Sequence, residues 1–369
     1  MGKLTQKPLP GKILSSDSRE VSRLFTAGVD PTQILAQALG PKFLTYREKW
    51  AQARDYLQVS NFPLQVDYEL LRSCNLRCPM CPMHFKDNSL FFPKNPNYLT
   101  TESVLNLVAE GATHGQMAVG FGGLWEPLLW SDLPRIISFA REKGLVEALL
   151  NTNGTLLTPS KSQDLIDAGL TRLMVSLDAA TPETYNLARP GGDFEIVVNN
   201  LKEFLNIRQK KKQLLPLLRL SFCLTSLNEK ELIPFLERFQ GLADYFSIQQ
   251  YGYYGGPFKL FPQNPVGTPP GERCAQPFKR LMITHDGNVY PCCDLSRLPA
   301  PVGNIKNANL KTIWEGLLIQ KTREGILKQG PLEDSCINCQ SKHKPFQKTD
   351  TSKKIYNQKK LKPKKLKPL

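Results

Sequence analysis

The chain has 369 residues, 41% of them hydrophobic, and a formal charge of +15. That is enough apolar material for one large domain and a smaller one, and it excludes a chain that is disordered throughout. The charge does not make the body a nucleic-acid binder: from Ser341 to Leu369 eleven lysines stand against one acid, Asp350, leaving about +5 on the other 340 residues.

Met1 to Lys12 is polar and has no apolar core of a signal peptide, and no segment approaches the roughly 20 apolar residues of a membrane span. A cytoplasmic, reducing setting is therefore expected. There the nine cysteines serve as metal ligands sooner than as cross-links.

Residues 1–62 read as a helical extension, with helices over Ser18–Gly28, Pro31–Gly40 and Leu44–Leu57. At Pro63 the pattern becomes strand then helix, and it continues to residue 260. Val66, Tyr68 and Leu70 alternate with Gln65, Asp67 and Glu69 in a strand that runs into a cysteine loop. A helix capped by Thr101 follows, with Val104, Leu105, Val108 and Ala109 on one face. Further strands are expected over Met117–Phe121, Val146–Asn151, Arg172–Leu177, Leu217–Thr225 and Tyr245–Gln250. Helices between them cover Ser131–Lys143, Lys161–Ala168, Phe194–Arg208 and Lys230–Gln240.

Six strands alternating with helices argue for an α/β fold, a parallel barrel or an open partial barrel, whose reacting site lies at the C-terminal strand ends. The unusual polar clusters fall at those ends. They are the cysteines after the first strand, Gly122 to Pro127 after the second, Asn151 to Gly154 after the third, and Ser176 with Asp178 after the fourth.

Cys74, Cys78 and Cys81, spaced by four and three, can hold three corners of an iron–sulfur cube and leave the fourth iron open to a ligand that is not protein. Residues 261–340 carry a second set: Cys274, Cys292, Cys336 and Cys339. Four thiolates close a cube completely, and zinc suits them equally well. Cys293 adjoins Cys292 but points the other way along a strand, which favours Cys292.

Cys223 lies in an apolar strand, where a buried inert thiol or a barrel-facing hydrogen donor are both open. Tyr251, Tyr253 and Tyr254 follow the sixth strand among glycines, in place to line a pocket or to pack between domains. His84, His114, His285 and His343 show no ligand spacing. Residues 341–369, rich in Lys-Pro repeats, read as a disordered tail, the one place where nucleic acid would bind.

The run Cys-Asn-Leu-Arg-Cys-Pro-Met-Cys resembles the Cys-x3-Cys-x2-Cys signature of radical S-adenosylmethionine (SAM) enzymes. This resemblance implies a partial (β/α)6 TIM-like barrel in which Cys74, Cys78 and Cys81 hold a [4Fe-4S] cluster. SAM chelates the open iron and is cleaved to a 5′-deoxyadenosyl radical that abstracts hydrogen. Met80 stands where an aromatic residue is common.

Gly122, Gly123 and Glu126 look like the family's Gly-Gly-Glu element, which takes the SAM amino group, with Trp125 in place of a small residue. Ser176 and Arg189 match contacts to ribose and carboxylate, and Asn153 is a further candidate. The C-terminal cysteines, with Gly303-Asn304-Ile305 and Ile313-Trp314, look like a SPASM or twitch domain. One auxiliary [4Fe-4S] cluster on Cys274, Cys292, Cys336 and Cys339 is the simplest count.

The function implied is hydrogen abstraction from a peptide or protein side chain or a small polar metabolite, with electrons from a donor such as flavodoxin or ferredoxin. The residues alone leave another reading: a non-catalytic zinc or Fe–S protein that grips nucleic acid with its tail.

Overall fold

The structure is a computed structural model. It describes residues 13–14, 22–26, 30–55, 57–84, 98–251, 260, 274–292 and 300–328. Six parallel strands form its centre: β3 (Gln65–Tyr68), β4 (Ala118–Phe121), β5 (Glu147–Thr152), β6 (Arg172–Ser176), β7 (Leu217–Leu224) and β8 (Tyr245–Gln250). They stand in sequence order, each beside the next, as right-handed crossovers through helices require. The crossovers are α3 (Thr101–Thr113), α4 (Leu133–Glu142), α5 (Pro159–Asp167), the pair α6 (Pro182–Ala188) and α7 (Phe194–Lys210), and α8 (Leu232–Phe239).

Local chemistry fixes where these helices begin. Thr158 and Thr181 each cap a helix that starts on proline, Asp193 accepts from the Ile196 amide, and Thr100 with Ser103 forms a reciprocal capping box. The cap of α3 is thus Thr100, one residue before the expected Thr101. Leu107 is buried in α3, and Ala109 lies nearer its edge.

Period two sorts the strands into an oily outer face and a polar inner one. In β6, Leu173 and Val175 are buried, whereas Arg172, Met174 and Ser176 are partly exposed. In β7, Leu218, Leu220 and Phe222 are fully buried, and Arg219 and Cys223 are half-buried. The buried faces pack on the helices, as where Phe222, Phe239 and Phe246 surround Phe235 with ring centres 4.9, 5.2 and 5.7 Å away.

The other face lines a lumen. Its N-terminal end is plugged by polar pairs: Arg172 with Glu147 at 2.6 Å, Arg280 with Asp67 at 3.2 Å, and the Tyr46 hydroxyl donating to Gln65. Gln65, Asp67 and Glu69, which alternation alone would place at a wet surface, are all buried.

Strands from outside the six cover both edges. On β8 lies β2 (Ser22–Thr26), antiparallel, with β1 (Ile13–Leu14) beyond it. Ser18–Gly28 is therefore not the helix expected there. The short run Ser-Arg-Leu-Phe-Thr fits either period, and the unpaired edge of β8 decides for a strand. Helices α1 (Pro31–Leu39) and α2 (Pro41–Asp55) do form.

On the other edge, β9 (Arg280–Ile283) runs parallel to β3 and turns into β10 (Asn288–Tyr290), followed by β11 (Gly303–Asn304). Helix α9 (Gln276–Lys279) precedes β9. After β11 come α10 (Leu310–Trp314), tied to the chain before β3 by its Trp314 indole donating to the Ser60 carbonyl at 2.8 Å, and α11 (Leu317–Lys328). Among the described residues no helix is long and apolar enough to cross a membrane.

Candidate cluster and cofactor site

Strand β3 delivers the chain to the cysteine loop at the open, C-terminal end of the lumen. The loop is held from two sides. The Arg77 amide donates to the Pro190 carbonyl at 3.0 Å, and Asn75 Nδ2 donates to Thr155 Oγ1 at 2.8 Å. A turn with the Cys81 amide on the Cys78 carbonyl brings those two thiols onto one side, where the three cysteines pack with Leu76, Met80 and Tyr251.

Burial pushes the Cys78 and Cys81 thiols up, the latter to about 12. Three thiolates in this setting need a cationic partner, and iron supplies one. Among the described residues no three Cys, His, Asp or Glu side chains converge closely enough for a single metal ion. Three thiolates on one loop suit the corners of a cube, whose ligands bind different irons.

Several residues expected from the sequence meet around this loop. Arg189 Nη1 lies 3.9 Å from Cys78 Sγ, and Asn153 Nδ2 lies 3.9 Å from Cys74 Sγ and 2.9 Å from Asn75 Oδ1. Asn153 thus orients the cysteine loop. Arg189 is held by Asp178 at 2.5 Å, a pair with little exposure, and its Nε is buried with no partner. Asp178 has φ +62°, a conformation that Asp tolerates better than most residues, and its other oxygen accepts from the Cys223 amide at 2.6 Å. Ser176 ends β6 on the lumen face, in register with Ser221 of β7, which pairs with Ser247 of β8. The Ser221 and Ser247 hydroxyls are buried and without a hydrogen-bond partner.

Gly122 has φ +96°, and a Cβ there would lie 2.4 Å from the Asn151 carbonyl oxygen. Glu126 is buried and its carboxylate is fully engaged: it accepts from Thr152 Oγ1 at 2.6 Å and from the Leu128 and Asn153 amides at 3.0 and 2.8 Å. Its side chain ties the ends of β4 and β5 together. Burial raises its pKa, against the pull of these donors.

Sequence reasoning missed Glu69, which is buried beneath the glycine loop and accepts from the Leu124 amide at 2.5 Å. The signal was its place on the polar face of β3, five residues before Cys74. Cys223 is half-buried on the lumen face, and burial pushes its thiol up.

Of the second cysteine set, Cys274 and Cys292 are partly exposed. Both lie at the open end of the β9–β10 hairpin, before α9 and two residues after β10. Cys293, Cys336 and Cys339 lie outside the described residues, as do Tyr253, Tyr254, His343 and the lysine-rich tail.

Residues 68–237 match the model of the radical SAM superfamily, and residues 274–340 match that of an iron-sulfur cluster-binding domain, SPASM. Over 193 residues the chain is 30% identical to a probable GTP 3′,8-cyclase of Methanocaldococcus jannaschii, covering 50% of this chain and 60% of that one. Over 183 residues it is 30% identical to the Fe-coproporphyrin III synthase of Methanosarcina barkeri, covering 49% and 42%. The chain thus spans about half the length of these curated relatives.

Among solved structures, Streptococcus suis SuiB bound to its precursor peptide SuiA superposes with a TM-score of 0.56 at 14% identity, over 76% of this chain and 71% of that one. Native anSMEcpe with bound AdoMet superposes with a TM-score of 0.53 at 19% identity, over 75% and 87%. Residues 68–237 thus form a radical SAM domain, which implies a [4Fe-4S] cluster with SAM, and residues 274–340 a SPASM domain of the kind that binds auxiliary iron–sulfur clusters.

Proposed function

We propose that this protein is a cytoplasmic oxidoreductase or modifying enzyme acting on a polar substrate, a peptide or protein side chain or a small metabolite, that enters the lumen. The observation that carries the reading is the meeting of Cys74, Cys78 and Cys81 with Arg189, Asn153 and the Gly122–Glu126 loop at one end of the lumen. When bound, the cluster and SAM supply a 5′-deoxyadenosyl radical that abstracts hydrogen.

The chain's own residues do the rest. Asp178 holds Arg189 toward the loop, where its guanidinium suits a carboxylate. Asn153 fixes the cysteine loop against β5. The glycine loop offers backbone to an amino group, and Ser176 offers a hydroxyl to a ribose. Deeper in the lumen Asn151, Arg219, Ser221 and Gln249 present polar atoms, which suits a substrate with hydrogen-bonding groups and not a lipid. Cys274 and Cys292, joined by Cys336 and Cys339, would hold one auxiliary cluster, and a flavodoxin or ferredoxin would supply electrons.

Anaerobic reconstitution with iron and sulfide, followed by dithionite and SAM, tests this. We expect 5′-deoxyadenosine and about eight irons per chain, two cubes. The Cys74→Ala, Cys78→Ala, Cys81→Ala variant should form none and keep about four irons. A wild-type protein that forms no 5′-deoxyadenosine and binds zinc would instead be a metal-stabilised binding protein.

A further inference from the structure

We infer that Glu69 is the positioning residue for the SAM amino group: its carboxylate gathers the amides of the glycine loop and thereby turns the loop's carbonyls toward the ligand. This rests on the reading above, in which that loop takes the amino group.

The loop is fastened along one side. The Gly122 amide donates to the Tyr68 carbonyl at 3.2 Å, and the Glu126 amide donates to the Ser73 carbonyl at 3.1 Å. Between them the Leu124 amide donates to Glu69 Oε1 at 2.5 Å, and the Trp125 amide also donates to this carboxylate. All four donors face the segment that links β3 to the cysteine loop.

In a trans peptide the N–H of one residue and the C=O of the residue before it point in opposite directions. Three of these bonds therefore turn the Gly123, Leu124 and Trp125 carbonyls away from that segment. No cis peptide occurs in the loop. Gly123 itself is exposed. Adjacent carbonyls facing one way are acceptors for a primary ammonium, which carries three donors.

Gly123 shows how closely the carboxylate is fitted. A Cβ there would lie 2.3 Å from Glu69 Oε1 and 3.1 Å from Met282 Cε. Glu69 is itself anchored, since its amide donates to the Ile283 carbonyl of β9 at 2.9 Å. The backbone that carries the carboxylate is thus held next to the β3–β9 pairing.

The test uses the full-length reconstituted protein and two readouts. Amide hydrogen exchange reports on the loop without SAM. SAM binding is read by equilibrium dialysis, by the change it causes in the electron paramagnetic resonance of the reduced cluster, and by KM against kcat in 5′-deoxyadenosine formation.

In Glu69→Ala we expect exchange at Leu124 and Trp125 to quicken about tenfold, the loss of a hydrogen bond to a buried acceptor. SAM affinity should fall by a similar factor through KM, with iron content and kcat at saturating SAM retained. Glu69→Gln, which keeps one acceptor oxygen, should fall between. A merely structural role would lower iron content or kcat and leave KM alone.

Unchanged exchange overturns the proposal, and so does faster exchange with unchanged SAM affinity. Should Glu69→Ala fail to fold, Glu69→Gln and Gly123→Ala decide, and unchanged SAM affinity in both overturns it. If the wild type forms no 5′-deoxyadenosine, the proposed function falls, while exchange and dialysis still decide the role of Glu69.

Discussion

Burial raises the Glu69 carboxyl to about 8, against the pull of the Leu124 and Trp125 amides, with Asp67 and Glu126 adding to the rise. Arg280 pairs with Asp67. A folded-state pKa above the unfolded value of 4.5 gives stability that is fully present below about pH 4.5 and is lost as pH rises through about 8. Glu69→Gln removes this loss. The urea midpoint of the variant should gain on wild type between pH 5 and about 8.5, by a few kcal/mol at most. Curves that stay parallel over that window would show that Glu69 does not titrate there.

Asp178 is the ion-pair partner of Arg189. Asp178→Ala strands a buried guanidinium and should cost about 3–5 kcal/mol in chemical denaturation. The three cysteines of the loop stood out because their spacing is local. Asp178 stood out at its strand end, but its pairing with Arg189, 11 residues on, and the bond of Glu69 to Leu124, 55 residues on, were not legible, because only the fold brings the partners together.

At the scale of elements, the six strands and most helices were legible from apolar periodicity, with boundaries shifted by a residue or two. The elements of residues 274–328 were not, nor were α6 and the β1–β2 edge. α6 has only seven residues, too few for a helical period to declare itself, although Thr181 and Pro182 marked its start. β2 is a strand because an edge needed one, a fact held by β8 and not by its own sequence.

The polar face of β3 was read correctly as alternation but not as a lumen, since alternation does not say whether the second face meets water or the inside of a barrel. The outer faces carry the packing energy. Phe235→Ala should cost about 3–5 kcal/mol, because its ring touches Phe222, Phe239 and Phe246 on both layers. A shift in melting temperature without change in iron content would confirm that this cluster serves stability alone.

For the whole molecule, the sheet makes the C-terminal unit a continuation of the barrel and not an attachment. β9 extends the sheet past β3, and α10 reaches back to Ser60 and Asn61. A chain ended at residue 260 would leave β3 as an open edge, with its hydrogen bonds to β9 unmade. We expect such a chain to aggregate, or to lose exchange protection at Val66 and Tyr68, as measured by sedimentation and hydrogen exchange. A soluble fragment with β3 protected would show that the barrel stands alone. This dependence was hidden in the sequence, where residues 261–340 read as a separate domain.

The β9–β10 hairpin has a turn that lies level with the cysteine loop, and Cys274 and Cys292 lie at its other end. The four residues of β9 at about 3.3 Å each separate the two ends by roughly 13 Å. The span between the cysteine loop and the Cys274–Cys292 end of the hairpin is therefore set by strand length within one hydrogen-bonded sheet. The auxiliary cluster proposed for Cys274 and Cys292 would then stand about one strand's length from the first, a spacing written into the sheet itself.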